Sequence, residues 1–318
     1  MQAVDPTLAL IGWLIRATLQ MSTPLVLTAL GGMFSERSGV VNIGLEGMML
    51  MGAFGAVAAT YFTDNPWMGI LVAVALGGAL AAAHAIVCVK FKGDHIVSGT
   101  GVILFGGGFT TLMLDVVWGR QGYSESVTQL PKVVIEPIQD IPIIGIAFGS
   151  LSPIVYWMFI VSALCWYVMY KTPFGLRLRA AGEDPSTLDT AGVNVEWVRA
   201  IGVVLSGCFA GLGGAYLSIG FGTGFGKLMT SGRGFIALAA LIFGNWTPIG
   251  CLLAGVFFGF LNGLQFALVL APGFEWLQPF NNFIQMIPYV FVIIALAGIR
   301  KSIPPKGIAV PYEKEARA

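Results

Sequence analysis

The stretch GFIALAALIFGNWTPIGCLLAGVFFGFLNGLQFALVLAPGF, residues 234–274, contains no charged side chain. One pass through the roughly 30 Å hydrocarbon core of a bilayer needs about 20 mostly apolar residues, so this stretch holds two. Gly244-Asn245-Trp246-Thr247-Pro248 divides it, because Gly and Pro end helices. The first piece, 233–244, rises only about 16 Å at 1.5 Å per residue. It spans about half the hydrocarbon, like the broken helices that line transport paths.

Working outward, long uncharged runs recur between Arg16 and Glu36, Asp64 and Lys90, Asp94 and Asp115, Asp140 and Lys171, Arg199 and Lys227, and Glu275 and Arg300. They predict passes at 8–33, 42–61, 67–89, 95–118, 152–170, 198–220, 233–244, 248–270 and 282–299, the seventh of them short. The fold class expected is all-α, a polytopic transmembrane helical bundle of about 8–10 helices. Residues 1–318 form one transmembrane domain. Composition agrees: 56% of the 318 residues are hydrophobic, 10% are charged, and mean hydropathy is +0.83. A soluble domain carries about 25% charged residues. A net charge of +1 offers no basic face, so no nucleic-acid partner is expected. The 43 glycines suit closely packed membrane helices. The start, MQAVDPTLAL, has no basic n-region, so no cleaved signal is expected. Cys88, Cys165, Cys208 and Cys251 lie apart in apolar segments and read as small buried hydrophobes.

The basic residues orient the bundle. With the N-terminus outside and the C-terminus inside, Arg37, Lys90, Lys92, Lys171, Arg177, Arg179, Arg199, Arg300, Lys301, Lys306, Lys314 and Arg317 fall on the inner side. Arg120, Lys132, Lys227 and Arg233 fall on the outer. That asymmetry obeys the positive-inside rule. Segment 119–151 then becomes an extracytoplasmic loop with a short strand, and 171–199 a cytoplasmic segment. In the latter, Phe174–Ala181 suits a short amphipathic helix ended by Gly182. Asp184-Pro185 starts another, with Asp184 as N-cap and Pro185 in the first turn.

Little of the chain suits catalysis. The two histidines, His84 and His95, form no metal motif, and no carboxylate pair or nucleophile triad appears. GFGTGFGK, 220–227, fails the phosphate-loop pattern, with Phe221 at the first glycine position and Leu228 at the Ser/Thr position. No cofactor and no metal is expected. What remains is a pathway. Ionisable residues inside a membrane are functional candidates by default, here Arg16, Glu46 and Asp115. Asn42 reads as an N-cap with Glu46 in the first turn or two, where the helix dipole favours a carboxylate. Arg16 pairs internally or snorkels, Asp115 is a solvated helix end, and His84 a hydrogen-bonded packing residue. Ser98 and Thr100 open the fourth helix among glycines. Asn262 and Gln265 share one helical face, and Asn281, Asn282 and Gln285 open the last helix. Each can serve simply as a bond between helices. As a set, Asn42, Glu46, Ser98, Thr100, Asn262 and Gln265, with Phe105, Phe109, Phe257 and Phe266, suit a neutral polar ring compound better than an ion.

FSERSGVVNIGLEGMMLMGAF, 34–54, closely resembles the second-helix signature of nucleoside-type ABC importer permeases, in the superfamily that also holds ribose-type sugar and branched-chain amino acid permeases. TPFGLRLRAAGEDPSTLDTAGVNV, 172–195, resembles that family's cytoplasmic coupling segment, with Asp184 in place of the usual Asn. FKGDHIVSGTGV, 91–102, and the glycine-rich region 206–263 extend the resemblance along nearly the whole chain. It implies a type II ABC importer permease in a bacterial plasma (inner) membrane, without an ATPase site of its own. The implied partners are a cytoplasmic ABC ATPase, a second homologous permease, an extracytoplasmic substrate-binding lipoprotein docking on 119–151, and membrane lipid. Gly182, Glu183, Asp184, Pro185, Leu188, Ala191, Gly192 and Val193 would insert into an ATPase groove and transmit its closure. Nucleosides are the first expected cargo, simple sugars or riboflavin the alternative. A stand-alone secondary transporter would need a coupling-ion site, which sparse buried carboxylates do not offer, and a membrane enzyme would need an acid–base or metal cluster.

Reversing the charges at Glu183 and Asp184, or Gly182→Pro, is expected to uncouple ATPase activity from substrate while leaving membrane insertion intact. Unchanged transport and ATPase binding would remove the coupling assignment.

Overall fold

In a computed structural model, the structure describes residues 6–120, 122–139, 141, 143–270, 279–294 and 302–313. Helices form where the uncharged runs lie: α1 (Pro6–Arg37), α2 (Leu45–Thr63), α3 (Pro66–Ala85, continued by a π-helical turn Ile86–Lys90) and α4 (His95–Trp118). A connecting segment follows, with β1 (Val133–Val134), α5 (Glu136–Gln139), α6 (Ile144–Phe148) and β2 (Ser150–Leu151). Then come α7 (Pro153–Lys171), the short α8 (Pro173–Glu183) and α9 (Pro185–Thr190), and α10 (Val195–Ala215, with a π-helical turn Tyr216–Phe221). The half-length α11 (Arg233–Phe243), α12 (Pro248–Leu270) and α13 (Asn281–Ile294) complete it. Among the described residues, seven helices are long and apolar enough to cross a membrane. The chain is a multi-pass membrane protein. The expected last pass runs past Ile294 into 295–299, outside the described residues.

Local chemistry places the boundaries. Asn65 caps α3 through Trp67 N–H, Asp94 caps α4 through Ile96 and Val97, and Asn194 caps α10 through Trp197. Pro66, Pro153, Pro173, Pro185 and Pro248 stand at the first helical position, where a missing N–H costs nothing. The break after Phe243 is the expected one: Asn245 and Trp246 take φ of +55° and +52°, turning the chain before Pro248. Gly182 does not end α8, which runs on to Glu183. The segment after α4 does contain a strand, β1, paired antiparallel with β2.

Two helices organise the packing. α1 lies against α10, α11 and α12, and α10 against α1, α2 and α3. Hydrocarbon gives helices no hydrophobic reason to associate, so contact depends on small residues that let backbones approach. Along α12, Gly255, Gly259 and Gly263 meet Val26, Ser22 and Thr18 of α1. A Cβ on Gly259 would lie 2.6 Å from the Ser22 Cα. On α10, Gly207 and Gly211 face Ala73 and Gly77 of α3, while Gly214 faces Met49 of α2. Outward faces stay apolar, as with Leu71, Leu104, Leu112, Ile160 and Leu164.

The basic residues Arg37, Arg199 and Lys306 gather at one end, called here the basic end, where residues 302–313 act as a strap. Gly307 N–H donates to Gly182 O (2.7 Å), Ala309 N–H to Gly39 O (3.0 Å) and Ile303 N–H to Asn245 Oδ1 (2.8 Å). Arg199 donates to Val310 O (2.9 Å) and Ala181 O (3.1 Å). At the far end, segment 122–151 is tied down by Leu130 N–H to Ile219 O (3.0 Å) and by Arg16 donating to Ser150 O (2.7 Å).

A Cβ on Gly211 would sit 2.3 Å from the Ala73 carbonyl oxygen, whereas one on Gly101 would meet nothing within 4 Å. Gly211→Ala is therefore expected to cost about 1–3 kcal/mol and lower the melting temperature in detergent, with Gly101→Ala unchanged. Equal melting of the two variants would refute this packing.

Candidate functional site

Glu46 lies in the first turn of α2, as its sequence position suggests, and is buried. Its carboxylate also serves a second helix. Oε1 accepts from the Thr230 hydroxyl (2.6 Å) and Gly232 N–H (2.8 Å), and Oε2 from Gly234 N–H (2.6 Å). These are donors at the start of α11, which has no capping side chain of its own. The first amides of any helix lack intrahelical partners, and Glu46 supplies one for Gly234 from 188 residues away. A Cβ on Gly234 would lie 2.6 Å from the Glu46 Cα, so only glycine permits this approach.

Neighbouring bonds place this junction at mid-depth. Asn42 is not the cap of α2, whose N-cap is Gly44. Its side chain turns away because a buried amide needs a partner, and Nδ2 donates to Ser206 Oγ (2.9 Å). Ser206 stands three turns into α10, about 16 Å from that helix's first residue. Arg233, expected at the outer surface, is thus carried inward, because α11 starts beside Glu46 and not at the membrane face.

The irregular link between α1 and α2 is buried, with Ser38 and Asn42 sealed from solvent. Backbone inside a membrane must be satisfied by protein, and both histidines do this at one residue. Val41 N–H donates to His95 Nδ1 (3.2 Å), and His84 Nε2 bonds Val41 O (3.1 Å). Ser98 Oγ completes the set on His84 Nδ1 (2.8 Å). Thr100 is exposed on α4 and donates to Ile96 O (2.8 Å). Asn262 donates to Phe258 O (2.9 Å) within α12, and Gln265 is half-buried on the same helix. The structure thus joins Asn42, Glu46 and Ser98 to the α1–α2 link and α11, while Thr100, Asn262 and Gln265 stand apart from that junction. The side chains of Phe266, Asn281, Asn282 and Gln285 lie outside the described residues.

Thr230 and Arg233 gave no local sign of their place; nor did Glu36 and Trp246. Trp246 Nε1–H donates to the buried Glu36, and Arg37 donates to Trp246 O (2.8 Å) and Asn245 O (3.4 Å). Arg37 also faces Glu183 at 3.7 Å. The turn between α11 and α12 is thereby held to the end of α1, and through it to α8.

Within the 171–199 segment the candidate residues divide by face. Gly182 is buried, its Cα so close that a Cβ would lie 2.3 Å from Arg37 O. Leu188 joins the apolar cluster of Leu178, Ala181 and Val198, with Val193 packed against it. Glu183, Asp184, Ala191 and Gly192 are exposed, and Pro185 is half-buried. Asp184 caps α9, accepting from Ser186 and Thr187 through both hydroxyl and amide groups. Those bonds, the Ser186 hydroxyl foremost, push its carboxyl down to about 2. The cap is in place at neutral pH and is lost only as pH falls through that value. Gly192, at φ +81°, makes the left-handed turn that closes α9. Among the described residues no group of three side chains suits a metal ion.

Residues 14–296 match the family described as branched-chain amino acid transport system / permease component. The chain is 41% identical to the guanosine ABC transporter permease protein NupQ of Bacillus subtilis, over 96% of this chain and 97% of that one. It is 40% identical to the nucleoside ABC transporter permease protein NupC of Lactococcus lactis, over 92% and 94%. A putative glucose ABC transporter permease of Haloferax volcanii, TsgC13, is 39% identical over 79% and 76%. No solved structure matches.

Glu46→Ala would leave three donors unsatisfied in a buried site, at an expected cost of about 3 kcal/mol. Glu46→Gln, which keeps an acceptor oxygen, is expected to cost less. Thermal melts of the purified protein check the order; two variants melting like wild type would show that α11 does not depend on this carboxylate.

Proposed function

The chain belongs to the branched-chain amino acid transport permease family, and from that membership we propose that it forms the translocation path for nucleosides in an ATP-driven importer. It is a permease subunit of an ABC transporter, working with an ABC ATPase and a second permease. The observation that carries the cargo is identity of 41% along nearly the full length of a guanosine permease. In this reading ATP is hydrolysed in the partner subunits and an extracytoplasmic binding lipoprotein delivers the nucleoside. The membrane is the bacterial plasma membrane, with the basic end cytoplasmic, the C-terminus on that side and the N-terminus outside.

The geometry supports a mechanism. α8 and α9 are short capped rods whose exposed residues, Glu183, Asp184, Ala191 and Gly192, are available to an ATPase surface, while Gly182 and Leu188 fasten them to the bundle. A push on this unit reaches Arg37 through Gly182 and Glu183. Arg37 holds the turn at Asn245 and Trp246. That turn is the lower end of α11, whose upper end Glu46 holds at mid-depth. Only two discrete packings of such a unit can bias inward- against outward-facing states, and α11 is the element that can carry motion from the coupling face to the middle of the membrane.

Uptake of labelled guanosine is expected to fall to background in cells lacking this chain, and equally when the partner ATPase is disabled. Glucose uptake that depends on this chain while guanosine uptake does not would move the cargo to sugars. Guanosine uptake needing this chain but not the ATPase would overturn the mechanism.

A further inference from the structure

Arg233 is the first residue of α11 and sits at mid-depth, half-buried. The Glu46 carboxylate attracts this cation across the junction without forming an ion pair with it. A positive charge opposes the dipole at a helix N-terminus, and the Gly234 amide of α11 already has Glu46. A guanidinium inside a membrane is expensive and persists where it faces the protein interior or a water-filled cavity with a task. Among the described residues its bonds run from Nη1 alone, to Met229 O and Thr230 O, both 3.2 Å. Those two contacts aim a five-donor fork without occupying its other nitrogens. The surroundings are open and aromatic: Ser231 is exposed, and Phe235 and Tyr289 are each 46% exposed. The Tyr289 hydroxyl donates to Ser231 O (3.0 Å), which keeps its ring beside Gly232.

We infer that Arg233 is a specificity-determining contact of the path, reading the O6/N7 edge of a 6-oxopurine nucleoside with the rings of Phe235 and Tyr289 at hand to stack on the base. This rests on the nucleoside reading above and narrows it. A guanidinium fork pairs with O6 and N7 of guanine bidentately. Adenine presents a donor at N6, where the fork needs an acceptor, and pyrimidines have no N7. Flat aromatic faces accept any base, so the discrimination falls to Arg233.

The test uses cells carrying the complete importer and compares guanosine, 7-deazaguanosine, adenosine and cytidine uptake for wild type, Arg233→Gln and Arg233→Lys. Replacing N7 by carbon removes one acceptor of the pair, so wild type is expected to take up guanosine about tenfold faster than 7-deazaguanosine. In Arg233→Gln that ratio is expected to fall to about one, with guanosine uptake losing far more than cytidine uptake. The lysine keeps the charge and can still donate to O6 and N7, so it is expected to retain part of the ratio but less than the planar fork gives. Ratios within one strain cancel any change in the amount of inserted protein, and every upstream component is shared between strains. An unchanged ratio, a wild type without the preference, or an equal loss of all four substrates would each overturn the assignment. A wild type that imports none of the four would instead sink the nucleoside reading itself, and this contact with it.

Discussion

A helix that begins in the middle of a membrane has amide groups with no partner, and hydrocarbon supplies none. The carboxylate of Glu46 meets that constraint, and much of the structure follows from it. Because three donors around Gly232 converge on one side chain of α2, α11 is fixed at its upper end to a helix distant in sequence. Because Gly234 lets the two backbones nearly touch, the junction is tight. The chain can then turn at Asn245 and Trp246 and return as the full-length α12.

The lower end of α11 is held by a different device. Glu36 and Arg37, the last acidic and basic residues of α1, bond the side chain and backbone of Trp246. Arg37 also reaches Glu183, and the 302–313 strap bonds Gly39, Gly182, Asn245 and Arg199 together. The short rods α8 and α9 at the basic end are thus bonded, through Arg37, to the element that starts at mid-depth. The two ends of α11 use polar bonds, while the long helices use glycine contacts. Polar bonds can be exchanged for others in a second packing, whereas interlocked backbones resist displacement.

Much of the architecture was legible in the residues. Absence of charge marks a span directly, since a charged group in hydrocarbon is costly wherever its partners lie. The Gly244–Pro248 break and the Asp184-Pro185 cap are likewise local, and both stand where their residues indicate. Asn42 and Arg233 were misplaced for the opposite reason. Asn42 has the residue type of a cap, yet a buried partner on α10 competes for its amide. Arg233 borders a charged loop in sequence, yet α11 starts where Glu46 lies. Gly182 has the composition of a helix end, but its lack of a side chain is used for packing against Arg37.

The sequence by itself determined that this is a multi-pass helical permease, where its chain breaks, and which short segment carries capped rods at the basic end. Hydropathy, caps and breakers act over a turn or two, so they can be read without knowing what lies opposite. Only the tertiary structure decided that Glu46 caps another helix, that both histidines serve the backbone of Val41, and that Arg233 stands at mid-depth beside Tyr289. Each of these depends on where helices cross, and crossing is set by complementary surfaces far apart in the chain. The physical reason is one of range: solvation is settled residue by residue, whereas a buried polar group takes the partner that packing brings to it.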